Sequence, residues 1–278
     1  MISFKVQNRL IKTIIYAVMV LVVFLMLFPL FWIFATAVKP LEEIFMYPPK
    51  IWPGEFRWNN FLEVLEISDF GTYFKNSFIV SFFATVITVC LNMIAGYAFA
   101  KYKFRGKEFF FLLMLCTMMI PLQVTMIPNF MIVSWLGLRN TYMGLILPPC
   151  AEAFGLFLSR QFMMSLPNEL IESGRIDGAS EFSIFRRIVL PNSKNLVNVL
   201  VIFTFMWRWN DFQWPLIIIS DSRMYTIQLG LSMLNMTNYV NMNHLMAASL
   251  MAVLPVIVVF LVFQRRFVHG MVTSGIKG

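Results

Sequence analysis

The stretch NSFIVSFFATVITVCLNMIAGYAFA, residues 76–100, runs for 25 positions without a charged side chain. The hydrocarbon core of a bilayer is about 30 Å thick, and a helix needs roughly 20 consecutive apolar residues to cross it. The run is continuous rather than alternating, and a segment in lipid must pair its own backbone polar groups. The stretch therefore predicts a membrane-spanning α-helix.

Five further apolar runs bring the predicted number of spans to six. They are residues 13–38, 109–138, 141–159, 196–219 and 244–263. The composition agrees, because 59% of the residues are apolar, 13% are charged and the mean hydropathy is +0.74. The first run is longer than the apolar region of a secretory signal, about 7–15 residues, so we expect it to be retained. The sequence predicts an all-α polytopic membrane protein with a single transmembrane domain over residues 1–278.

The distribution of basic residues predicts the orientation. Placing both termini in the cytoplasm gives 15 of the 22 Lys and Arg residues to the cytoplasmic pieces, as the positive-inside rule requires. Those pieces are residues 1–12, 101–108, 160–194 and 264–278. The basic residues are scattered beside the spans, so the net charge of +8 does not indicate nucleic-acid binding.

Catalytic and metal-binding patterns are absent from the sequence. Its two histidines, His244 and His269, are far apart, and Cys90, Cys116 and Cys150 lie in or near apolar runs, so neither a metal site nor a disulfide framework is expected. No glycine-rich phosphate loop ending in Gly-Lys-Ser or Gly-Lys-Thr occurs. We therefore expect a protein that is not an enzyme and carries no cofactor of its own.

A polar segment between two spans, residues 168–193, has the pattern of a helix, a glycine turn and a second helix. Asn168 and Ser180 are suitable N-caps, Asp177-Gly178 is a turn dipeptide, and Pro191 is expected to end the second helix. The small residues around the turn would let a partner's groove approach the backbone. Taken alone, this composition also suits an amphipathic loop that touches lipid head groups.

The spacing within this segment resembles the cytoplasmic coupling loop of permease subunits of ATP-binding-cassette importers. In that family a Glu with two small residues is followed six positions later by a Gly, and an Ile-x-Leu-Pro begins ten positions after the Gly. The chain departs from the family only in having Ser-Gly where two alanines are usual. The resemblance implies an ATPase-coupling role for Glu172, Ser173, Gly174, Asp177, Gly178, Ala179, Ile188, Leu190 and Pro191.

Further strings are similar to carbohydrate importer permeases, and above all to the smaller, G-type subunit of maltose-type systems. They are MIPLQV at 119–124, LGL at 136–138, NT at 140–141, GLILP at 144–148, RQF at 160–162, WNDF at 209–212, QRRFV at 264–268 and GIKG at 275–278. The resemblance implies the fold of a type I importer permease with cytoplasmic coupling helices, in the cell membrane of a prokaryote.

The same resemblance implies several partners. These are a second, homologous permease, two ATPase subunits that bind ATP and Mg, and an extracellular or periplasmic sugar-binding protein. The long external segments, residues 39–75 and 220–242, would either contact that binding protein or close over the helix ends. The expected solute is a mono-, di- or oligosaccharide. The alternatives are another polyol-like solute such as a glycerol phosphodiester, or a stand-alone secondary transporter, although the latter would not need a docking loop.

Five residues are candidates for the solute pathway: Glu152, Trp209, Asn210, Asp211 and Gln213. Aromatic faces stack on sugar rings, amides and carboxylates bond hydroxyl groups, and an ionisable residue within a span is a functional candidate. Each has an alternative role. The tryptophans near the outer end of the span suit an interfacial belt, Asp211 lies one helical turn from Arg208 and would neutralise it, and Glu152 suits a structural hydrogen bond to another helix.

Overall fold

The computed structural model describes the backbone of residues 4–236 and 241–274, and the side chains of residues 11–236 and 241–264. The tail string at 275–278 lies outside the described residues. Over the described ranges the regular structure is entirely helical. The chain divides into two compact units, one comprising the residues up to 70 together with 231–253, the other residues 71–230 together with the residues from 254 onwards.

The helices confirm the predicted all-α fold of a membrane protein. The first half contains α1 (Phe4–Ala37), α2 (Leu41–Ile44), α3 (Asn59–Ile67), α4 (Phe70–Lys101), α5 (Lys107–Thr117), α6 (Leu122–Trp135), α7 (Tyr142–Ile146) and α8 (Ala153–Met164). The second half contains α9 (Asn168–Ile176), α10 (Glu181–Ile184), α11 (Leu190–Asn192), α12 (Lys194–Trp209), α13 (Gln213–Ile218), α14 (Ile227–Met236) and α15 (Met242–Ser274).

Three described helices, α1, α4 and α15, are long and apolar enough to cross a bilayer unbroken, and counting three bent pairs as single spans raises the number to six. The bend between α5 and α6 is 101°. It occurs at Pro121, which precedes α6, whereas Pro128 is accommodated inside α6. Of these two prolines, only Pro121 lies at the interruption.

The smaller unit is held together by buried polar contacts. Asn60 on α3 donates to the carbonyl oxygens of Ala37 and Lys39, at 2.8 and 3.0 Å. Asn243 donates to the side-chain oxygen of Asn60 at 3.1 Å, and His244 lies 2.7 Å from the Glu63 carboxylate. These contacts fasten the beginning of α15 to the predicted external segment.

The larger unit packs around α4, which is fixed at both ends. At the predicted outer end, Asn76 donates to the carbonyl oxygens of Arg223 and Tyr225, both at 2.9 Å. At the other end, Lys101 donates to the carbonyl oxygen of Leu166 at 2.6 Å and to the side-chain oxygen of Asn168 at 2.8 Å. Helix α4 therefore connects the outer loops directly to the start of α9.

Candidate functional site

The segment predicted to couple to an ATPase forms helix α9, a glycine turn and a second helical stretch. At the turn the backbone N–H of Ala179 donates to the carbonyl of Gly174, and that of Gly178 to the carbonyl of Arg175, both at 3.0 Å. This is the Schellman arrangement that closes a helix on a left-handed residue. Gly178 supplies that residue with φ of +75°, and no atom lies near the position that its Cβ would occupy. Glycine is needed here for its backbone conformation.

Gly174 has a different role from the one predicted for the small residues. It is buried, and a Cβ added to it would lie 2.9 Å from Ile188 and 3.2 Å from Ile184. Its small size therefore lets the two helical stretches of this same chain pack closely. Ser173 and Gly178 are exposed and Ala179 is half-buried, so the surface open to a partner comes from these residues and not from Gly174.

The ends of the two helical stretches agree only in part with the sequence prediction. Ser180 caps the second stretch as expected, accepting from the N–H of Ser183 at 3.3 Å, but Asn168 makes no cap and accepts from Lys101 instead. The second stretch continues from α10 through a π-helical turn over Phe185–Val189 into α11, which contains Pro191 and ends at the next residue, Asn192. Proline has no backbone N–H to donate, and its ring crowds the carbonyl group one turn earlier. The wider π turn lies just before α11, at the carbonyl groups that the Pro191 ring would crowd.

Two large apolar side chains project from this segment. Ile176, the last residue of α9, is 86% exposed, and Phe182 in α10 is 72% exposed. Glu172 and Leu170 lie on the same short helix and are also exposed. Such side chains on a predicted cytoplasmic loop indicate a surface for another protein. The sequence analysis missed both residues, although apolar residues within a polar segment were the available signal.

The opposite side of the segment is packed into the larger unit. Ile171, Ile184 and Val189 belong to a buried apolar cluster. The other members come from α4, α8 and α12: Val89, Met93, Tyr97, Met163, Leu196 and Leu200. A force on the exposed face of α9 would therefore reach three transmembrane helices through close-packed side chains, because packed elements move as bodies.

Glu181 forms a polar clamp at the edge of that cluster. Its carboxylate accepts from Arg175 Nε at 2.7 Å, from the Tyr102 hydroxyl at 2.6 Å and from the Tyr97 hydroxyl at 3.4 Å. The hydrogen bond from Arg175, followed by that from Tyr102, lowers the pKa of Glu181. Burial, followed by the hydrogen bond to Glu181, raises the pKa of Tyr102 to about 12. The clamp joins α9, α10 and the end of α4.

A second candidate site is a cavity of about 810 Å³ in the larger unit, with both apolar and polar side chains on its wall. It lies beside the interrupted span made of α7, a short 3-10 turn over Pro148–Cys150, and α8. Two adjacent prolines provide no backbone donors there, and Glu152 follows in an extended conformation. Residues on its wall include Thr125, Asn129, Glu152, Trp207, Arg208, Asp211 and Trp214.

Arg208 pairs with Glu152 across this cavity. The guanidinium Nη2 of Arg208 lies 3.1 Å from the Glu152 carboxylate and also donates to the carbonyl oxygen of Pro149 at 2.6 Å. Thr204 donates to Glu152 at 3.3 Å. Both charged side chains are 12–13% exposed. The structure thus pairs Arg208 with Glu152 instead of Asp211, and it gives Glu152 the predicted contact to another helix. Glu152 also lies on the wall of the cavity.

The other pathway candidates lie in different surroundings. Asp211 lines the cavity and accepts from the N–H of Trp214 at 3.2 Å, at the start of α13. Asn210 and Gln213 are exposed, and Asn210 accepts from Gln228 at 3.2 Å. Trp209 is 1% exposed and packs between Phe74 and Phe205, so its ring has no free face for a sugar in this conformation.

Comparison with known proteins identifies the family. Residues 92–272 match the family model described as binding-protein-dependent transport system inner membrane component. The chain belongs to this family. A crystal structure of a bacterial ABC transporter involved in the import of the acidic polysaccharide alginate contains a chain with the same fold, with a TM-score of 0.84, 21% sequence identity and coverage of 94% of this chain and 98% of that one.

Two curated relatives of this membrane transport component match along nearly the whole chain. The arabinooligosaccharides transport system permease protein AraQ of Bacillus subtilis is 36% identical, over 91% of this chain and 92% of the relative. The sn-glycerol-3-phosphate transport system permease protein UgpE of Yersinia enterocolitica is also 36% identical, over 93% and 95%. The predicted recognition and membrane location are confirmed.

Proposed function

We propose that the chain is one of two permease subunits of an ATP-binding-cassette importer, and that its solute is a neutral sugar. The observation that carries the importer function is the glycine-turn segment, which exposes Ile176 and Phe182 on one side and packs into the transmembrane helices on the other. Two ATPase subunits bind ATP and Mg and dock on the exposed side. A binding protein delivers the solute to the outer side.

Coupling in this proposal is mechanical. When the ATPase subunits close, their groove displaces α9, and the cluster around Ile171 and Ile184 moves α4, α8 and α12 with it. The clamp of Glu181 with Arg175 and Tyr102 keeps α9 at a fixed angle to α4 during this movement. A helix free to swivel would lose part of the displacement before it reached the cavity.

The charge balance of the cavity supports a neutral solute. The guanidinium of Arg208 is already compensated by Glu152 at 3.1 Å and by a backbone carbonyl. A polyhydroxylated solute needs hydrogen-bond donors and acceptors, and the wall supplies them from Asn129, Thr125 and Asp211. Trp207 is exposed at the same wall and offers an aromatic face for a sugar ring.

An anionic polyol such as a glycerol phosphate is the second candidate. The 36% identity to the glycerol-3-phosphate relative equals that to the arabinooligosaccharide relative, so similarity alone favours neither. A phosphate would want an uncompensated cation, whereas Arg208 is neutralised within this cavity. The neutral sugar is therefore our first choice.

The docking surface is tested by changing its two exposed apolar side chains. Ile176→Asp and Phe182→Asp should leave the subunit inserted in the membrane, because neither side chain is packed. ATPase subunits should no longer co-purify with either variant. Solute-stimulated ATP hydrolysis should fall at least tenfold, which corresponds to about 1.4 kcal/mol. The purified permease alone should hydrolyse no ATP.

The matched control is Ile67→Asp, which makes the same change at a half-exposed position of α3, in the segment predicted to be external. ATPase subunits should still co-purify with this variant. Normal co-purification with both the Ile176 and the Phe182 variants, or ATP hydrolysis by the permease alone, would refute the proposed function.

A further inference from the structure

A basic cavity of about 530 Å³ lies between the end of α4 and the coupling segment, and it shares Glu172 and Arg175 with that segment. Its wall includes four basic side chains, Lys101, Lys103, Lys107 and Arg175, and one carboxylate, Glu172. Arg175 is neutralised by Glu181 at 2.7 Å. The lysines have no carboxylate within ion-pair distance among the described residues, so the cavity keeps a positive excess.

Two of these lysines are fixed by neutral acceptors. Lys101 donates to a backbone carbonyl and a side-chain amide, and Lys107 donates to the carbonyls of Tyr102 and Ala100, at 3.1 and 3.4 Å. An ammonium has three donors, so each keeps one for a ligand. Fixed lysines facing a cavity lose little conformational entropy when an anion binds.

A second pocket of about 390 Å³ adjoins the basic cavity and shares Lys103 and Lys107 with it. Its one carboxylate, Glu108, is paired with Arg160 at 2.7 Å. Phe104 and Phe109 line this second pocket, and both rings are exposed, as is Phe110. A cation-rich cavity next to exposed aromatic side chains suits a molecule that is anionic at one end and apolar at the other. A soluble phosphate would use only the first pocket.

We propose that the two pockets together bind an anionic phospholipid of the cytoplasmic leaflet, with its phosphate against Lys103 and Lys107 and the beginning of its acyl chains along Phe104 and Phe109. The location fits, because these residues lie at the cytoplasmic end of α4 and the start of α5, where the negatively charged leaflet meets basic side chains. Bound there, the lipid would brace the wall against which α9 rests.

The test uses the complete detergent-solubilised transporter and short-chain lipids. Dioctanoyl phosphatidylglycerol should raise its thermal unfolding temperature in a saturable way, whereas dioctanoyl phosphatidylcholine should not. Lys103→Gln with Lys107→Gln should weaken the phosphatidylglycerol affinity roughly 25-fold, since each lysine near an anionic surface is worth about one fivefold step.

Arg105→Gln is the matched control, because it removes a charge from the same loop at a position that lines neither pocket. It should bind phosphatidylglycerol as the wild type does. Lys103→Gln alone, at an exposed side chain with no described hydrogen bond, should weaken binding roughly fivefold, and it stands in for the double variant if that variant does not fold.

Each of the following outcomes would overturn the proposal. The first is equal stabilisation by the two lipids, which would mean that head-group charge is not recognised. The second is displacement of the lipid by inorganic phosphate, which would assign the cavity to a soluble anion. The third is an absence of lipid binding, or an equal loss in the Arg105 variant, which would leave the lysines to a protein partner or to general surface charge.

Discussion

The carboxylate of Glu152 lies at a break in a transmembrane span and is held by a side chain from another helix. Arg208 reaches it at 3.1 Å and also donates to the Pro149 carbonyl that the break leaves free. Removing one member of a buried ion pair strands the other charge, whereas removing both does not. The pair therefore stabilises the break in the span as well as setting the charge of the cavity.

A double-mutant cycle tests this pairing. Glu152→Ala and Arg208→Ala should each destabilise the subunit by roughly 3 kcal/mol, and the double variant should recover much of that loss. Asp211→Ala should cost only about 1 kcal/mol, the value of a lost cap, and should not rescue Arg208→Ala. Thermal unfolding in detergent measures all of these variants. Rescue through Asp211 instead of Glu152 would show that the ion pair is assigned to the wrong carboxylate.

Gly178 provides a second prediction at this scale, with a control in the same chain. Gly178 and Gly137 both have positive φ, +75° and +69°, and both have open space at the Cβ position. An alanine at either position should cost roughly 1–2 kcal/mol through backbone strain alone. Only Gly178→Ala should reduce solute-stimulated ATP hydrolysis, because it distorts the turn that orients α9. Similar losses of ATP hydrolysis in both variants would indicate a general loss of stability.

At the scale of the elements, the clamp around Glu181 determines how α9 is attached to α4. The pKa of Glu181 is lowered in the folded protein. Its contribution to stability is therefore complete above the unfolded-state pKa of 4.5 and is lost as the pH falls through the lower folded-state pKa. Tyr102 has a pKa raised to about 12, so its contribution is present below 10.0 and is lost as the pH rises towards 12. The clamp is complete between these limits.

The clamp predicts a pH dependence that one substitution should remove. Glu181→Gln should lower the unfolding temperature at neutral pH by the equivalent of about 1 kcal/mol or less, because the ion pair is partly exposed. It should also flatten the decline in stability below pH 4.5. Glu169→Gln, on the same loop but outside the clamp, should keep the pH dependence that comes from Glu181. An identical acid limb in wild type and Glu181→Gln would exclude this carboxylate as its cause.

The elements also show what the sequence can predict. The six apolar runs predicted the apolar helices, because crossing lipid requires a whole segment to be apolar. The positions of the breaks were less predictable, since neighbouring groups decide whether a helix tolerates a proline. Pro121 precedes the start of α6, Pro128 lies inside it, and Pro191 lies in α11, one residue before its end. Similarly, spacing along one helix favoured Arg208 with Asp211, whereas the observed partner, Glu152, lies 56 residues away.

At the scale of the whole molecule, the proposed function requires two surfaces to act together, a coupling surface for ATPase subunits and a wall of the solute pathway. The proposed coupling surface could be predicted from the sequence because it is local, a fixed spacing within one segment. The cavity wall was only partly recognisable because it brings together residues from α6, the interrupted span and α12. The nature of the solute therefore depends on charges that only the folded chain brings together.

The charge of the cavity leads to a prediction for the assembled importer. With its own binding protein, the reconstituted transporter should increase ATP hydrolysis with neutral oligosaccharides and not with sn-glycerol 3-phosphate, because Arg208 is compensated by Glu152. Glu152→Gln keeps the shape of the side chain but releases the guanidinium. It should therefore slow uptake of the neutral solute, since the freed cation must be desolvated whenever the pathway opens. Stimulation of the wild type by glycerol 3-phosphate, with neutral sugars inactive, would instead establish the anionic polyol as the solute.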